Sequence, residues 1–337
     1  MKVCIVGAGA IGGLIGAKLA LAGGAQVSVL ARGQTLAAVR EHGLRIAEDD
    51  AGARWRSAPV RASDDAAALG AQDLIIIAVK APALPQLAQR LRPLLDAATV
   101  VLPAMNGVPW WFGKGLPAIG ALPLESVDPR GRISQSIPLE HVLGCVVHLH
   151  AARPAPGCVA GVRGRSLIIG EPQSASSARV GQVAALLRGA GFDVVESSNI
   201  RRELWYKLWG NLTINPISAV TGATADRILA DPLVRDFCSS VMREAAQLGS
   251  HIGCEIEQTV EDRHAITAKL GAFKTSMLQD VEAGRPVEID AIVAAVSEIG
   301  ARLAIPTPHI DALLGMARLF ARVRCLYPEA DQPGAGG

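Results

Sequence analysis

Three polar side chains recur at four-residue intervals in an otherwise apolar stretch of the sequence. Lys207, Asn211 and Asn215 are successive i,i+4 neighbours, so a helix through this stretch places all three on one face. Most of the surrounding residues are apolar, among them Leu204 and Trp205, which predicts a buried helix. A buried polar group without a partner costs about 1–3 kcal/mol. The stripe therefore either bridges to other protein groups or lines a cleft that receives a ligand, and the residues alone leave both interpretations open.

A glycine-rich hexapeptide near the N-terminus predicts a dinucleotide site. It directly follows the apolar run Val3–Val6 and opens the helical segment Ala10–Leu21, which is the context that the Gly-x-Gly-x-x-Gly motif requires. The first glycine permits a tight turn, the second lets the backbone approach a pyrophosphate, and the third lets helix and strand pack closely. The residues predicted to bind the cofactor here are Gly7, Ala8, Gly9, Ala10, Ile11 and Gly12.

The end of the second predicted strand favours NADPH/NADP as the cofactor. Enzymes that use NAD usually carry an acid about 20 residues after the glycine motif, where it binds the ribose 2′-hydroxyl. This sequence instead reads Ala31-Arg32-Gly33, and the first acid that follows is Glu41. The planar guanidinium of Arg32 can pair with a 2′-phosphate, although an exposed loop arginine is the plainer alternative.

A nicotinamide cofactor favours the interpretation in which the polar stripe receives a ligand. Hydride delivery to a ketone leaves an alkoxide that needs both a proton and a cationic partner. Lys207 beside two amide side chains can supply both. The sequence therefore favours a ligand-facing stripe and a reductase acting on a small carbonyl substrate.

Composition limits the classes of protein to which the chain can belong. The 337 residues suffice for two domains, and 50% of them are hydrophobic. A net charge of +2 gives no bulk attraction to nucleic acid or to an anionic membrane surface. The six cysteines are scattered without a Cys-x-x-Cys pair and no histidines are spaced as metal ligands, so we expect no metal site. No signal peptide opens the sequence, and we expect a cytoplasmic protein.

The elements that must position these residues change character along the chain. Up to residue 198, apolar runs alternate with helical segments, which predicts an α/β N-terminal Rossmann-type parallel-sheet domain that binds NADP. From 199 to 327, amphipathic helical patterns predict an all-α C-terminal domain for substrate and catalysis, and 328–337 is predicted to be a disordered tail. The predicted strands are Val3–Val6, Val27–Leu30, Leu74–Val79, Val100–Leu102, Val142–Leu149, Val159–Ile169 and Phe192–Glu196. The predicted helices are Ala10–Leu21, Pro82–Leu95, Ile200–Thr221, Pro232–Ile252, Glu255–Lys269, Thr275–Ala283, Val287–Ala304 and His309–Leu326.

Motifs spread over nearly the whole chain resemble those of one enzyme family. The stretch from Asn199 to Pro216 carries the pattern Asn-Ile-Arg-x-Glu-Leu-Trp-x-Lys-Leu followed by Asn-x-x-x-Asn-Pro. This pattern resembles the signature of the ketopantoate reductases (2-dehydropantoate 2-reductases). The resemblance extends, in the same order along the chain, to Val79-Lys80-Ala81, Asn106-Gly107, Thr275–Asp280 and Val287–Asp290. The resemblance is far more specific than the glycine motif alone.

The resemblance implies a role for each matching residue. The lysine that matches Lys207 is the general acid that protonates the substrate carbonyl oxygen, and the glutamate that matches Glu288 binds the substrate hydroxyl. The serine that matches Ser276 contacts the carboxylate, and the asparagines that match Asn211 and Asn215 hold the substrate. The implied reaction is the NADPH-dependent reduction of ketopantoate to pantoate, a step of pantothenate biosynthesis.

Two further residues are placed by the resemblance on the cofactor side, and several positions have a plainer structural interpretation. Lys80 and Asn106 match cofactor-side residues, but Lys80 can also be an exposed strand-end residue and Asn106 part of a turn. Glu288 follows a proline at a helix start, where the helix dipole favours a carboxylate in any case. Ser276 can be an ordinary first-turn cap.

Two departures from the family pattern leave the substrate open. The segment that follows Asn106 is long and contains Trp110-Trp111-Phe112, which can form a lid, a pocket wall or a surface loop pinned by its own aromatics. The stretch Val220–Thr224 lacks an asparagine that some family members place there. The alternatives are a reductase or dehydrogenase of another small 2-keto or 2-hydroxy acid, or a non-catalytic NADP-sensing protein. Apolar helix faces in the C-terminal half are compatible with internal packing and with a homodimer.

Overall fold

The structure is a computed structural model that describes residues 1–47, 54–173 and 176–329. Residues 330–337 of the predicted tail lie outside the described residues. The chain forms two compact units. The first unit comprises 1–115 and 128–204, and the second unit comprises 116–127 and the chain from Trp205 onward. Along the chain, the first unit ends at Leu204 and the second unit resumes at Trp205. The domain boundary predicted at 198/199 stays a prediction.

A five-stranded parallel sheet forms one layer of the first unit. Its order is β5-β2-β1-β6-β7, and every neighbouring pair in it is parallel. Counting only its own strands, this is the order 3-2-1-4-5 of a Rossmann half, with the change of direction between β1 and β6. The strands are β1 (Lys2–Val6), β2 (Gln26–Leu30), β5 (Arg61–Ser63), β6 (Leu74–Ile77) and β7 (Val100–Pro103).

The connections across this sheet include two regular helices, one of which the sequence patterns missed. Helix α1 (Ala10–Ala22) agrees with its prediction, whereas α2 (Gly33–His42) was not predicted, because only Leu36 and Val39 of its residues are buried. The helix predicted over Pro82–Leu95 is broken. It consists of a 3-10 turn (Ala81–Ala83), one α-turn α3 (Leu84–Leu87) and a second 3-10 stretch (Ala88–Leu94), because three prolines in this segment remove amide donors.

A second, mixed sheet completes the first unit. Its order is β10-β9-β3-β4, and β8 pairs antiparallel with β9. A long β9 is the hub of this sheet, because it pairs with three different strands. The remaining elements of the unit are β3 (Leu44–Ala47), β4 (Trp55–Ala58), α4 (Arg132–Ser136), β8 (Gly144–Ala152), β9 (Cys158–Gly170), α5 (Ala178–Gly189) and β10 (Asp193–Glu196).

The second unit is helical, as the sequence predicts. Helix α6 spans Ile200–Thr221, and its first residues up to Leu204 belong to the first unit. The predicted α/β domain followed by an all-α part is confirmed. The other helices are α7 (Ala225–Ala230), α8 (Pro232–His251), α9 (Val260–Ala268), α10 (Ser276–Glu282), a π-helical turn (Asp290–Ala294) that runs into α11 (Ala295–Arg302), and α12 (Pro308–Val323).

Residues 116–127 belong to the second unit although they lie between parts of the first in sequence. The carboxylate of Glu298 on α11 accepts hydrogen bonds from the backbone N–H groups of Glu125 and Ser126, both at 2.9 Å, and from the Ser126 hydroxyl at 2.7 Å. Arg302, one turn later, donates to the carbonyls of Leu122 (2.7 Å) and Pro123 (2.5 Å) and to Glu298 (2.6 Å). Two side chains of one helix thus hold this segment in place.

Within the described residues, no helix combines the length and the apolar character needed to cross a membrane.

Candidate active site

The glycine motif forms a turn in which two glycines are required by packing and one leaves open space. Gly7 has φ +93°, and a Cβ there would lie 2.6 Å from Val79 Cγ1. A Cβ on Gly12 would lie 2.1 Å from the Gly7 carbonyl oxygen. A Cβ on Gly9, the N-cap of α1, would meet nothing within 4 Å. The backbone at Gly9 and the free N–H groups of the first turn of α1 are therefore open to an anion such as a pyrophosphate.

The other predicted cofactor residues follow strands of the same sheet. Lys80 follows β6 and is exposed, Asn106 follows β7 and is half-buried, and Arg32 follows β2 and is exposed. The carboxyl ends of parallel strands share one edge of a sheet, where open α/β folds bind their ligands. The structure therefore brings these three residues and the glycine turn to one edge of the first unit.

A second arginine lies at the start of α2, beside Arg32. Arg32 is the N-cap residue of α2, and Arg153 donates a hydrogen bond of 3.3 Å to the hydroxyl of Thr35 in the first turn of that helix. Neither arginine forms an ion pair with the part of the chain that the structure describes. Two guanidinium groups near the positive end of a helix can attract an anion with several negative charges. Sequence reasoning missed Arg153, because nothing in the local pattern around it connects it with the start of α2.

Two tryptophans fix the rotation of α6 in the second unit. The indole N–H of Trp205 donates to the carbonyl of Ala245 at 3.1 Å, and that of Trp209 donates to Met242 at 2.7 Å, both on α8. Lys207 and Asn211 follow these tryptophans by two residues, which is a rotation of about 200° on an α-helix. The polar stripe therefore points away from α8.

Exposure along α6 separates the polar stripe from its surroundings. Lys207 and Asn211 are half-buried, whereas their neighbours Leu208, Trp209 and Leu212 are buried. Further along the stripe, Asn215 is only 7% exposed. The stripe thus starts where α6 is accessible and ends in the protein interior.

An arginine of α9 that the sequence patterns did not single out packs against α6 next to the stripe. The guanidinium carbon of Arg263 on α9 is 4.9 Å from the centre of the Tyr206 ring, and its Nη1 donates to the Tyr206 hydroxyl at 3.3 Å. A Cβ on Gly210 would lie 2.3 Å from Nη2 of this arginine, so the bare glycine makes room for it. The Nε of Arg263 is buried without a hydrogen-bond partner, and the described residues offer it no carboxylate. The two residues that this cation contacts, Tyr206 and Gly210, directly precede Lys207 and Asn211 in the sequence.

Direct chain neighbours of three predicted site residues line one small apolar cavity of the second unit. Pro216, Met277 and Val287 line this cavity, and each is the direct chain neighbour of a predicted site residue: Asn215, Ser276 and Glu288, respectively. The structure therefore brings these three predicted residues into one neighbourhood of the second unit.

The local structure also tests the plainer interpretations of Ser276 and Glu288. The N-cap of α10 is Thr275, whose hydroxyl accepts from the Leu278 N–H at 3.1 Å, so Ser276 is not the cap. Glu288 is 5% exposed, and its carbonyl accepts the first bond of the following helix, from Ile292. A glutamate this buried needs polar contacts beyond the favourable dipole of a helix start.

The aromatic segment after Asn106 is part of the interior of the first unit. Trp110, Trp111 and Phe112 are 3%, 0% and 1% exposed. The buried guanidinium of Arg201 donates to the carbonyl of Phe112 at 2.9 Å and lies 5.8 Å from the ring centre of Trp111. The suggestion of a surface loop is wrong, because side chains this buried and anchored belong to the core. The suggestions of a lid and of a pocket wall stay predictions.

The buried thiols of Cys4 and Cys238 are not nucleophiles. Burial raises the pKa of Cys4 in β1 to about 11 and that of Cys238 on α8 to about 12, despite hydrogen bonds that favour the thiolate. Both side chains stay protonated near neutral pH and act as small apolar groups. The arrangement therefore points to chemistry by the amine, amide and carboxyl groups.

Family models match both halves of the chain. The model described as ketopantoate reductase PanE/ApbA matches residues 3–174, and the one described as ketopantoate reductase PanE/ApbA C terminal matches 199–321. The chain belongs to the ketopantoate reductase family. The predicted family and the predicted 2-dehydropantoate 2-reductase-like oxidoreductase are thereby confirmed.

Individual relatives cover almost the full length. A 2-dehydropantoate 2-reductase of Mesorhizobium japonicum is 44% identical over 97% of this chain and 100% of its own. A crystal structure of a candidate ketopantoate reductase from Ralstonia solanacearum MolK2 is 54% identical, with a TM-score of 0.92 over 97% of this chain and 99% of that one. A D-mandelate dehydrogenase bound to NADH and anilino(oxo)acetate shares the fold at 22% identity, with a TM-score of 0.80 over 96% of this chain and 100% of that one.

Proposed function

We propose that the chain reduces ketopantoate to pantoate with NADPH. The observation that carries this proposal is the orientation of α6, which turns Lys207 and Asn211 away from α8 and leaves both accessible in a largely buried helix. The same helix carries the pattern that resembles the signature of the family, and a relative named 2-dehydropantoate 2-reductase is 44% identical. A scattered set of cysteines supports a reducing compartment, and the proposed location is the cytoplasm.

In this proposal the second unit binds the keto acid and supplies the proton. Asn211 and Asn215 donate to the substrate oxygens, Ser276 contacts the carboxylate, and Glu288 accepts from the substrate hydroxyl. Arg263 adds positive charge beside the stripe for the same carboxylate. The Nζ of Lys207 gives a proton to the carbonyl oxygen as the keto carbon is reduced, so the alkoxide never accumulates. The product is the 2-hydroxy acid.

The first unit fits a dinucleotide, which supplies hydride from its nicotinamide ring when it is bound. Open space above Gly9 admits a pyrophosphate at the start of α1, and Lys80 and Asn106 lie on the same sheet edge. The proposed preference for NADPH rests on Arg32 and Arg153 at the start of α2, where the sequence provides no acid for a ribose 2′-hydroxyl.

A panel of 2-keto acids, each assayed with NADPH and with NADH, tests the proposal. We expect the highest kcat/KM for ketopantoate with NADPH. The variant Arg32→Gln should raise the KM for NADPH about tenfold and leave the KM for NADH unchanged, because only NADPH carries the 2′-phosphate. Equal kcat/KM with NADPH and NADH would contradict the proposed cofactor preference. A higher kcat/KM for another keto acid would contradict ketopantoate as the proposed substrate.

A second candidate is a reductase of another small 2-keto acid. The stretch Val220–Thr224 lacks the asparagine that some ketopantoate reductases place there. The D-mandelate dehydrogenase with the same fold binds anilino(oxo)acetate, which carries an oxo group next to its carboxylate. The same panel separates the candidates by kcat/KM, and turnover of no keto acid would favour a non-catalytic NADP-sensing protein.

A further inference from the structure

The residues that follow helix α12 fold back onto the chain around Glu288. The chain leaves α12 through Cys325, whose φ of +55° lies in the left-handed region that residues other than glycine rarely adopt. The N–H groups of Cys325 and Leu326 donate to carbonyls in the last turn of the helix, both at 2.8 Å. This reversal turns the next residues back onto their own unit. We call residues 325–328 the C-terminal strap.

The C-terminal strap holds the chain on both sides of Glu288. Before Glu288, the N–H of Val287 donates to the carbonyl of Leu326 at 3.2 Å. After it, the carboxylate oxygen Oδ1 of Asp290 accepts from the hydroxyl of Tyr327 at 2.5 Å. Two consecutive residues of the strap therefore anchor the two ends of the short stretch that carries Glu288.

The anchor at Asp290 is a network of charged and aromatic side chains. The Nη2 of Arg318 on α12 lies 3.6 Å from the same Oδ1 that accepts from Tyr327. The Nε of Arg322 donates to the carbonyl of Pro328 at 3.1 Å, and its guanidinium carbon lies 5.5 Å from the centre of the Tyr327 ring. Burial, together with the bond to Asp290, raises the pKa of Tyr327 to about 12. The phenol therefore keeps its proton near neutral pH and donates it to the carboxylate.

Asp290 also begins the π-helical turn that leads into α11. Its carbonyl accepts from the N–H of Ala295, five residues later, whereas the carbonyl of Glu288 accepts from Ile292 with the ordinary α-helical spacing. Such turns are rare and occur often at functional sites. One residue of an α-helix corresponds to a rotation of about 100°. A change from the π to the α spacing would therefore rotate Glu288 relative to α11 by about that angle.

We propose that Tyr327 is a positioning residue for Glu288. Through Asp290, its hydroxyl fixes the helix start in the register that aims the Glu288 carboxylate at the substrate hydroxyl. This inference rests on the proposed function, in which Glu288 accepts from the hydroxyl of ketopantoate. The loss of Tyr327 should therefore affect only substrates that carry this hydroxyl, because α6 and Ser276 bind the other groups of the keto acid.

Two keto acids that differ by one hydroxyl group test this inference. Ketopantoate carries the hydroxyl, and 3,3-dimethyl-2-oxobutanoate is the same molecule without it. Tyr327→Phe removes only the phenol oxygen. It should lower kcat/KM for ketopantoate about tenfold, mainly through KM, and leave kcat/KM for 3,3-dimethyl-2-oxobutanoate unchanged.

Two further variants make the comparison specific. Asp290→Asn keeps an acceptor oxygen for the Tyr327 hydroxyl but loses the charge that faces Arg318, so it should cause a smaller loss, again with ketopantoate only. Ser240→Ala on α8 removes a hydroxyl that donates to the carbonyl of Asp236 at 3.1 Å. This matched control should have the kcat/KM of the wild type with both keto acids.

Hydrogen exchange without substrate measures the helix start directly. In Tyr327→Phe, the amides of Ile292 and Ala295 should exchange about tenfold faster than in the wild type, because the first residue of the π-helical turn has lost its anchor. Unchanged exchange would overturn the positioning role. An equal loss of kcat/KM with both keto acids would also overturn it, since Tyr327 would then only stabilise the fold.

The wild type separates a failure of this inference from a failure of the proposed function. If the wild type reduces both keto acids equally well or reduces neither, the proposed role of Glu288 is wrong, and the positioning role fails with it. If the wild type prefers ketopantoate and Tyr327→Phe shows the same preference, only the positioning role is overturned.

Discussion

The two units prepare for binding in opposite ways. In the first unit the proposed pyrophosphate site consists of backbone, because Gly7 and Gly12 permit a close turn and Gly9 leaves space over the start of α1. In the second unit the proposed substrate site consists of side chains that α6 presents along one face, with the helix rotation fixed by two indole hydrogen bonds. A backbone site is sensitive to added atoms, whereas a side-chain site is sensitive to removed ones. This difference predicts which substitutions damage each unit.

The largest effect is expected at Lys207. Lys207→Ala should lower kcat for keto acid reduction by about 10²–10⁴-fold, because the proton for the carbonyl oxygen then has to come from water. The affinity for NADPH, measured by its fluorescence, should not change, since the cofactor residues lie in the first unit. Lys269→Ala, at an exposed lysine just after α9, is the control and should have normal kcat. Near-normal turnover of Lys207→Ala would contradict the proposal that this side chain of the second unit supplies the proton.

Adding one carbon to the glycine turn should separate folding from cofactor binding. Gly12→Ala places a Cβ 2.1 Å from the Gly7 carbonyl oxygen, so it should lower the free energy of unfolding by about 1–3 kcal/mol or more. Gly9→Ala meets nothing within 4 Å and should fold normally, but it should weaken NADPH binding by occupying the space above α1. Thermal unfolding without cofactor and NADPH titration measure the two effects.

A glycine inside helix α5 is the control for this pair. Gly181→Ala also meets nothing within 4 Å, and it should raise the free energy of unfolding by about 0.5–1 kcal/mol through helix propensity. If Gly9→Ala bound NADPH as tightly as the wild type, the open space over Gly9 would not be the pyrophosphate site.

The contrast between the units also explains what the sequence could predict. The glycine motif is local, so strand, turn and helix N-terminus could be predicted from six consecutive residues and their context. The spacing of Lys207, Asn211 and Asn215 predicted a common face, but whether that face met a ligand or other protein groups depended on Trp205, Trp209 and their acceptors on α8. Those acceptors are 40 and 33 residues away, and no local pattern contains them.

Other errors have similar causes. Helix α2 was missed because most of its residues are polar or small and only two are buried, so the apolar periodicity is weak. The burial of the aromatic segment could not be predicted, because its anchor, Arg201, is 89 residues from Phe112 along the chain. Arg153 and Arg263 were missed because each acts at an element remote in sequence. Long-range contacts, rather than local propensities, decided the last three.

A smaller effect is expected at Arg263. Arg263→Met keeps apolar packing over Gly210 and Tyr206 but removes the charge, so the KM for the keto acid should rise about 10–100-fold. The value of kcat should change less, because Lys207 is still present. Arg243→Met, at an arginine that is 63% exposed and 4.0 Å from Glu261, is the matched control. A KM equal to that of the wild type would show that the arginine only packs against α6.

The smallest effect is expected at Glu298, where a side chain of the second unit holds the backbone of 116–127. Burial acts to raise the pKa of this carboxyl, but hydrogen bonds from Ser126, Glu125 and Arg302 together lower it below its usual range. A group with a lowered folded-state pKa stabilises the protein above its unfolded value of about 4.3, and this contribution disappears as the pH falls through the folded-state pKa.

Glu298→Gln should therefore lower the free energy of unfolding by about 1–2 kcal/mol at pH 7, because one acceptor becomes a donor that faces backbone N–H groups. The difference from the wild type in urea unfolding should shrink as the pH is lowered below 4.3. Limited proteolysis should cleave 116–127 faster in the variant at pH 7, since the segment loses two of its anchors. Glu329→Gln, at an exposed glutamate, should match the wild type throughout. A stability loss that does not change with pH would show that the carboxylate charge is not what holds the segment.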